Sequence, residues 1–117
     1  MKIAIGCDHG GLNVKQIGKA YLESTGHQVT DLGTTNSEST DYPQYAIQAA
    51  LAVIDKTVDY AILVCTTGIG MCITANRFSG IRAALCTSVN DAVMTRKHNN
   101  ANTLVLKGTL DQADVEA

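Results

Sequence analysis

Two short stretches of the chain set reactive side chains beside glycines: Cys7-Asp8-His9-Gly10-Gly11 and Cys65-Thr66-Thr67-Gly68-Ile69-Gly70. In the second, a thiol stands just before a helix start. Backbone N–H groups and the positive end of the helix dipole favour a thiolate there, able to serve as a base or nucleophile. Gly68 and Gly70 allow close approach of the backbone to a ligand, so the same amides suit an oxyanion or a phosphate. A plainer reading stands beside this one, since cysteine is commonly buried and glycines at such turns often serve geometry alone. Asp8-His9 also reads two ways, as a polar turn or as a carboxylate and an imidazole converging on Cys65.

Other chemistries fail on spacing. A phosphatase-type loop needs an arginine six positions after its cysteine, where Met71 and Asn13 stand. Gly6 and Gly11 have the spacing of a P-loop, but Leu12-Asn13 replaces its Lys-Ser/Thr pair. Gly68-Ile69-Gly70 runs on to Ile73 where a dinucleotide fingerprint needs Gly or Ala. Cys7, Cys65, Cys72 and Cys86 match no C-x-x-C zinc or redox pattern, and each is read singly.

Short apolar runs alternating with longer helical stretches predict parallel α/β structure. Strands are expected at Lys2–Cys7, His27–Leu32, Val58–Val64, Ile81–Leu85 and Thr103–Leu106. Helices are expected at Gly10–Thr25, with Gly26 as terminator, at Tyr42–Lys56 after an Asp41 cap, from the TTGIG turn to Arg77, and from a Ser88 cap to His98-Asn99-Asn100. In an open parallel sheet, ligands bind outside the carboxyl ends of the strands, which is where both glycine-flanked loops fall. His98 closes a helix that precedes a strand, so it belongs at the opposite edge and can reach Cys65 only through a second subunit. The second helix supports such a pairing. Ala46, Ala49, Ala50 and Val53 form one apolar stripe that can cover the sheet, and Ile47, Leu51 and Ile54 form another that predicts a subunit interface.

With 117 residues, 45% hydrophobic and 17% charged, the chain has the size of one domain and buries roughly 65% of its unfolded surface. Only 4% is aromatic, so the core must be aliphatic. A net charge of -2 argues against nucleic acid or anionic membrane as partner. There is no signal-peptide pattern and no apolar run of the ~18 residues needed to span a bilayer, so a cytoplasmic protein without disulfides is expected.

GCDHGG at 6–11, DYP at 41–43, CTTGIGM at 65–71, GIRAAL at 80–85 and HNNAN at 98–102 together resemble the ribose-5-phosphate isomerase B family, which includes galactose-6-phosphate isomerase subunits. The resemblance runs over about residues 1–106. It implies a three-layer, Rossmann-like α/β/α domain with a five-stranded parallel sheet of order 2-1-3-5-4. It also implies a homodimer, often paired into a tetramer, with active sites shared across the dimer interface, and no metal or other cofactor. By the resemblance, Cys65 moves a proton between C2 and C1 of an open-chain sugar phosphate. Thr67 and the amides of Gly68, Ile69 and Gly70 hold the cis-enediolate, with Thr66 in the same turn. His98 of the partner subunit opens the furanose ring, Asp8 bonds the reacting hydroxyl region, Asn99 and Tyr42 orient the sugar, and His9 lies toward the phosphate.

The sequence departs from the family in two places. Thr66 stands where the family usually has glycine. After the fifth strand the family continues into a helix whose arginines grip the phosphate, whereas this sequence reads KGTLDQADVEA, so residues 1–117 are expected to form one domain without that helix after about residue 106. The leading expectation is interconversion of ribose 5-phosphate and ribulose 5-phosphate. The alternatives are a galactose or allose 6-phosphate isomerase, an isomerase of an unphosphorylated sugar, and an impaired binding or assembly subunit.

Overall fold

A computed structural model describes residues 1–33 and 42–108, apart from the side chains of His9 and residues 42–44. Five strands, β1 (Lys2–Cys7), β2 (Gln28–Asp31), β3 (Tyr60–Cys65), β4 (Ala83–Leu85) and β5 (Thr103–Lys107), alternate with four helices. The helices are α1 (Leu12–Ser24), α2 (Tyr42–Ile54), α3 (Ile69–Asn76) and α4 (Val89–Asn99). The strands pair in parallel in the order β2-β1-β3-β5-β4, as the resemblance implied. The Asp41 cap, most of the 33–40 loop and the tail from 109 onward lie outside the described residues.

Alternation along the central strands sends side chains to two layers. On one face, Ala4, Ala61, Leu63, Cys65 and Val105 pack against α2 and α3 through Ala46, Ala49, Ala50, Met71 and Ala75. Small alanines let α2 lie close. Its second stripe stays outside, with Ile47, Leu51 and Ile54 at 39%, 50% and 42% exposure. On the other face, α1 and α4 flank a groove of about 570 Å³ floored by Ile5, Ile62, Val64, Leu104 and Leu106.

Several boundaries differ from the sequence expectation, each for a local reason. Gly10 and Gly11 belong to a 3-10 turn (His9–Gly11) ahead of α1, because Asp8 caps that turn by accepting the Gly10 amide. Gly26, at φ +91°, ends α1 as expected. α2 stops two residues early, where Asp55 accepts both the amide and the hydroxyl of Thr57. β4 begins at Ala83 rather than Ile81, since the Ile81 amide turns back to Phe78 and the Arg82 amide is taken by the Asn102 side chain. α4 starts after Ser88, whose hydroxyl accepts the Asp91 amide while Asp91 accepts the amide and hydroxyl of Thr87. Among the described residues no helix is long and apolar enough to cross a membrane.

Candidate active site

Register alone brings the two glycine-flanked loops together. Cys7 pairs with Val64, so Asp8 follows β1 at the level where Cys65 ends β3, and Cys65 in turn pairs with Lys107. Three strand ends thus converge at one edge of the sheet. They are locked by backbone approaches that only glycine permits. A Cβ on Gly11 would lie 2.6 Å from the Val64 carbonyl oxygen, one on Gly10 would collide with the Thr66 hydroxyl, and one on Gly108 with the Gly10 carbonyl. The Gly108 amide also donates to the Cys65 carbonyl at 2.8 Å.

Cys65 is 5% exposed, and its Sγ accepts the Gly68 amide at 3.2 Å. Gly68 caps α3 at φ +79°, a left-handed conformation that turns its N–H back toward the sulfur. Thr66 and Thr67 are exposed, and Thr67 Oγ1 accepts the Ile69 amide at 3.2 Å, leaving its hydroxyl hydrogen to donate outward. Ile69 is exposed and Gly70 half-buried, so the first turn of α3 presents its backbone at the crevice. Asp8 is buried, at 7% exposure. One of its carboxylate oxygens holds the Gly10 amide at 2.9 Å, which fixes the side chain and leaves acceptor capacity on the other oxygen. The side chains of His9 and Tyr42 lie outside the described residues.

The remaining cysteines behave differently. All four are free. Cys7 is sealed with Val14 and Val64 beneath α1. Burial, reinforced by the charges of Asp91 and Cys72, pushes the Cys86 thiol above its ordinary range, away from thiolate chemistry. Cys72 is half-buried and directs its sulfur to the Ala83 carbonyl.

His98 and Asn99 fall at the other end of the sheet. Both are exposed in the last turn of α4, and β5 begins only at Thr103, opposite Ala61. The four residue steps from Ala61 to Cys65 separate these ends by roughly 13 Å. Asn100 and Asn102 do structural work instead. Asn100 adopts φ +50° to end α4, and the Asn102 amide group bonds Gly80 and Arg82.

One support of the site has no motif to announce it. Lys15, fully buried in α1, reaches Asp31 at the end of β2 with Nζ–O distances of 2.9 and 3.1 Å. Burial opposes the charge on Asp31, but the Lys15 hydrogen bond, the Gly33 amide and the charges of Lys15 and Lys19 outweigh it and hold the carboxyl below its ordinary value. Gly33 in turn accepts the Cys7 amide at 2.7 Å, so the pair steadies the loop beside Asp8. In the sequence Lys15 is only a lysine that follows the apolar Val14, and its burial emerges with the fold.

Neither the α1–α4 groove nor a polar concavity of about 590 Å³ near Arg82, Arg96 and Asn102 includes Cys65 or Asp8. The candidate residues instead form an open shelf at the carboxyl edge. A parallel α/β domain with a cysteine, a carboxylate and helix-start amides gathered there belongs to the class that binds small ligands at strand ends.

Comparison with known proteins gives the class a family. Residues 3–116 match the Ribose/Galactose Isomerase family. Ribose-5-phosphate isomerase B of Escherichia coli is 50% identical over 103 residues, covering 88% of this chain and 69% of that protein. A ribose 5-phosphate isomerase from Thermotoga maritima superposes with a TM-score of 0.95 at 46% identity, covering 97% of this chain and 79% of that one. Ribose-5-phosphate isomerase B of Mycoplasma genitalium, solved with bound ribulose-5-phosphate, superposes at 0.93 with 36% identity, covering 98% and 78%. The chain belongs to the Ribose/Galactose Isomerase family.

Proposed function

We propose that this domain, read as a single unit over residues 1–117, interconverts ribose 5-phosphate and ribulose 5-phosphate. The observation that carries the reading is the sulfur of Cys65 seated on the Gly68 amide beside the start of α3. A proton next to a carbonyl is only weakly acidic. Removing it requires a base at that carbon and donors at the oxygen where charge develops. Cys65, as thiolate, takes the proton from C2 of the open-chain aldose. The electron pair moves to O1, where the Thr67 hydroxyl and the Gly70 amide stabilise the cis-enediolate, while the Gly68 and Ile69 amides hold Cys65 Sγ and Thr67 Oγ1 in place. The thiol returns the proton to C1 as the hydroxyl hydrogen leaves O2 and O1 gains one, giving the ketose. Asp8 accepts from the reacting hydroxyls, and His9 and Tyr42 are assigned to the phosphate and the sugar by the family pattern.

The ring must first be opened, a step that calls for an acid. His98 of the partner subunit supplies it, with Asn99 of the partner subunit orienting the sugar. The exposed stripe Ile47, Leu51 and Ile54, continued on α3 by Ile69 and Ile73 at 54% and 57% exposure, is the surface assigned to this pairing. Lys107, in register with Cys65, brings a cation to the same edge. No step calls on a metal or another cofactor, and the site is read as that of a small-molecule enzyme rather than a nucleic-acid binder.

A coupled assay of ribose 5-phosphate turnover, with galactose 6-phosphate as competing substrate, tests the reading. Turnover of the pentose that falls about 10³-fold in Cys65→Ala, with unchanged circular dichroism, supports it. Equal turnover in the variant removes Cys65 as the base, and a parent protein that binds the sugar phosphate without turning it over favours the assembly-subunit reading.

A further inference from the structure

The side chains assigned to a neighbouring active site stand on the least anchored element of the fold. α4 contributes no buried residue, and Val89, Val93 and Met94 are 49%, 43% and 42% exposed. Packing therefore does little to fix its last turn, yet a group serving a reaction must be held to within about 0.5 Å. What the structure supplies instead is a polar clamp around the turn 99–102. The Arg96 guanidinium donates to the Asn100 side-chain oxygen at 3.3 Å, to the Ala101 carbonyl and to the Tyr60 hydroxyl at 3.3 Å. It also stacks over the Tyr60 ring, 5.2 Å from its centre. Tyr60 opens β3 and pairs with Ile3, so Arg96 ties the end of α4 to the middle of the sheet. Arg82 adds a bond from Nε to the Asn100 carbonyl at 2.7 Å.

We infer that Arg96 is a positioning residue for the reaction: by fastening the end of α4 to Tyr60 it sets where His98 and Asn99 project into the partner's site. The inference rests on the proposed role of His98 as ring-opening acid. A planar fork of donors suits the task because it fixes direction as well as distance, which a lysine ammonium does not. Arg96 touches no reacting atom, and its loss acts through His98.

The two halves of the reaction separate the possibilities. Ribose 5-phosphate must be ring-opened before proton transfer, whereas ribulose 5-phosphate has no five-membered ring to open and exchanges its C1 proton through Cys65 alone. Arg96→Gln is expected to lower kcat for ribose 5-phosphate by about 30-fold, within the range that a misplacement of about 1 Å produces. KM should change less than three-fold, and deuterium wash-in from solvent to C1 of ribulose 5-phosphate should stay within two-fold. Arg96→Lys should recover part of the loss, and Tyr60→Phe, which keeps the ring and removes one acceptor, should show a smaller loss of the same kind. His98→Ala is run alongside. If His98→Ala is impaired and Arg96→Gln is not, or if Arg96→Gln loses both activities equally, the positioning role is wrong. If His98→Ala itself turns over normally, the fault lies in the underlying reading of the site.

Discussion

The two ends of the sheet are built on opposite principles. At the carboxyl end, Gly11 approaches the Val64 carbonyl and Gly108 the Gly10 carbonyl, backbone against backbone, and the candidate groups Cys65 and Asp8 are buried and fixed by amides. At the amino end, His98 and Asn99 project from a helix with no buried residue, held by side chains that reach across from Arg82, Arg96 and Asn102. In the proposed reading, one end is the receiver and the other a projecting donor. A two-fold pair of chains would join each to its complement, because an isologous interface brings the same two surfaces together twice.

The comparison can be broken at either end. The largest expected effect is on the receiver's support. Asp31→Ala takes the carboxylate from fully buried Lys15 and should cost about 3 kcal/mol of stability in a denaturant titration. The same pair predicts a pH dependence. The native carboxyl is held below its ordinary value, so the stabilisation is fully present above the unfolded-state value of about 3.9 and is lost as pH falls through the lower native one. In Asp31→Ala that acid-side component should disappear from the stability profile.

Gly68→Ala should cost about 2 kcal/mol, since φ is +79° and the new Cβ would meet Leu85 Cδ1 at 2.5 Å. The amide that faces Cys65 would turn with it, so turnover should fall by more than the stability loss explains. At the projecting end the effects are gentler. Asn102→Ala removes the bonds to Gly80 and Arg82 near the surface and should cost about 1 kcal/mol, with thermal unfolding as the measure. A larger loss there than at Gly68 would overturn the contrast between a rigid and a lightly held end.

The receiver was legible in the sequence because its chemistry is local. A cysteine, two threonines and two glycines in six residues say strand end, turn and helix start at once. Strand order came from the motif resemblance, as periodicity cannot order parallel strands. The supports were harder to see. Lys15 meets Asp31, and Arg96 meets Tyr60, only after the sheet has been assembled. Asn100 and Asn102 looked no different from Asn99 in the string HNNAN, though backbone geometry gives the first two to the turn and leaves the third exposed. The early start expected for β4 failed for the same reason, since a distant side chain takes the Arg82 amide that would have extended the strand.

Mixing two inactive variants tests the shared site most directly. Cys65→Ala keeps the donor end and His98→Ala keeps the receiver. After subunit exchange, half the dimers carry one site with both lesions and one with neither. Ribose 5-phosphate turnover should therefore return to about a quarter of the parent level, as two-fold symmetry requires. A mixture that exchanges subunits and stays inactive would contradict a site built from both ends of two chains.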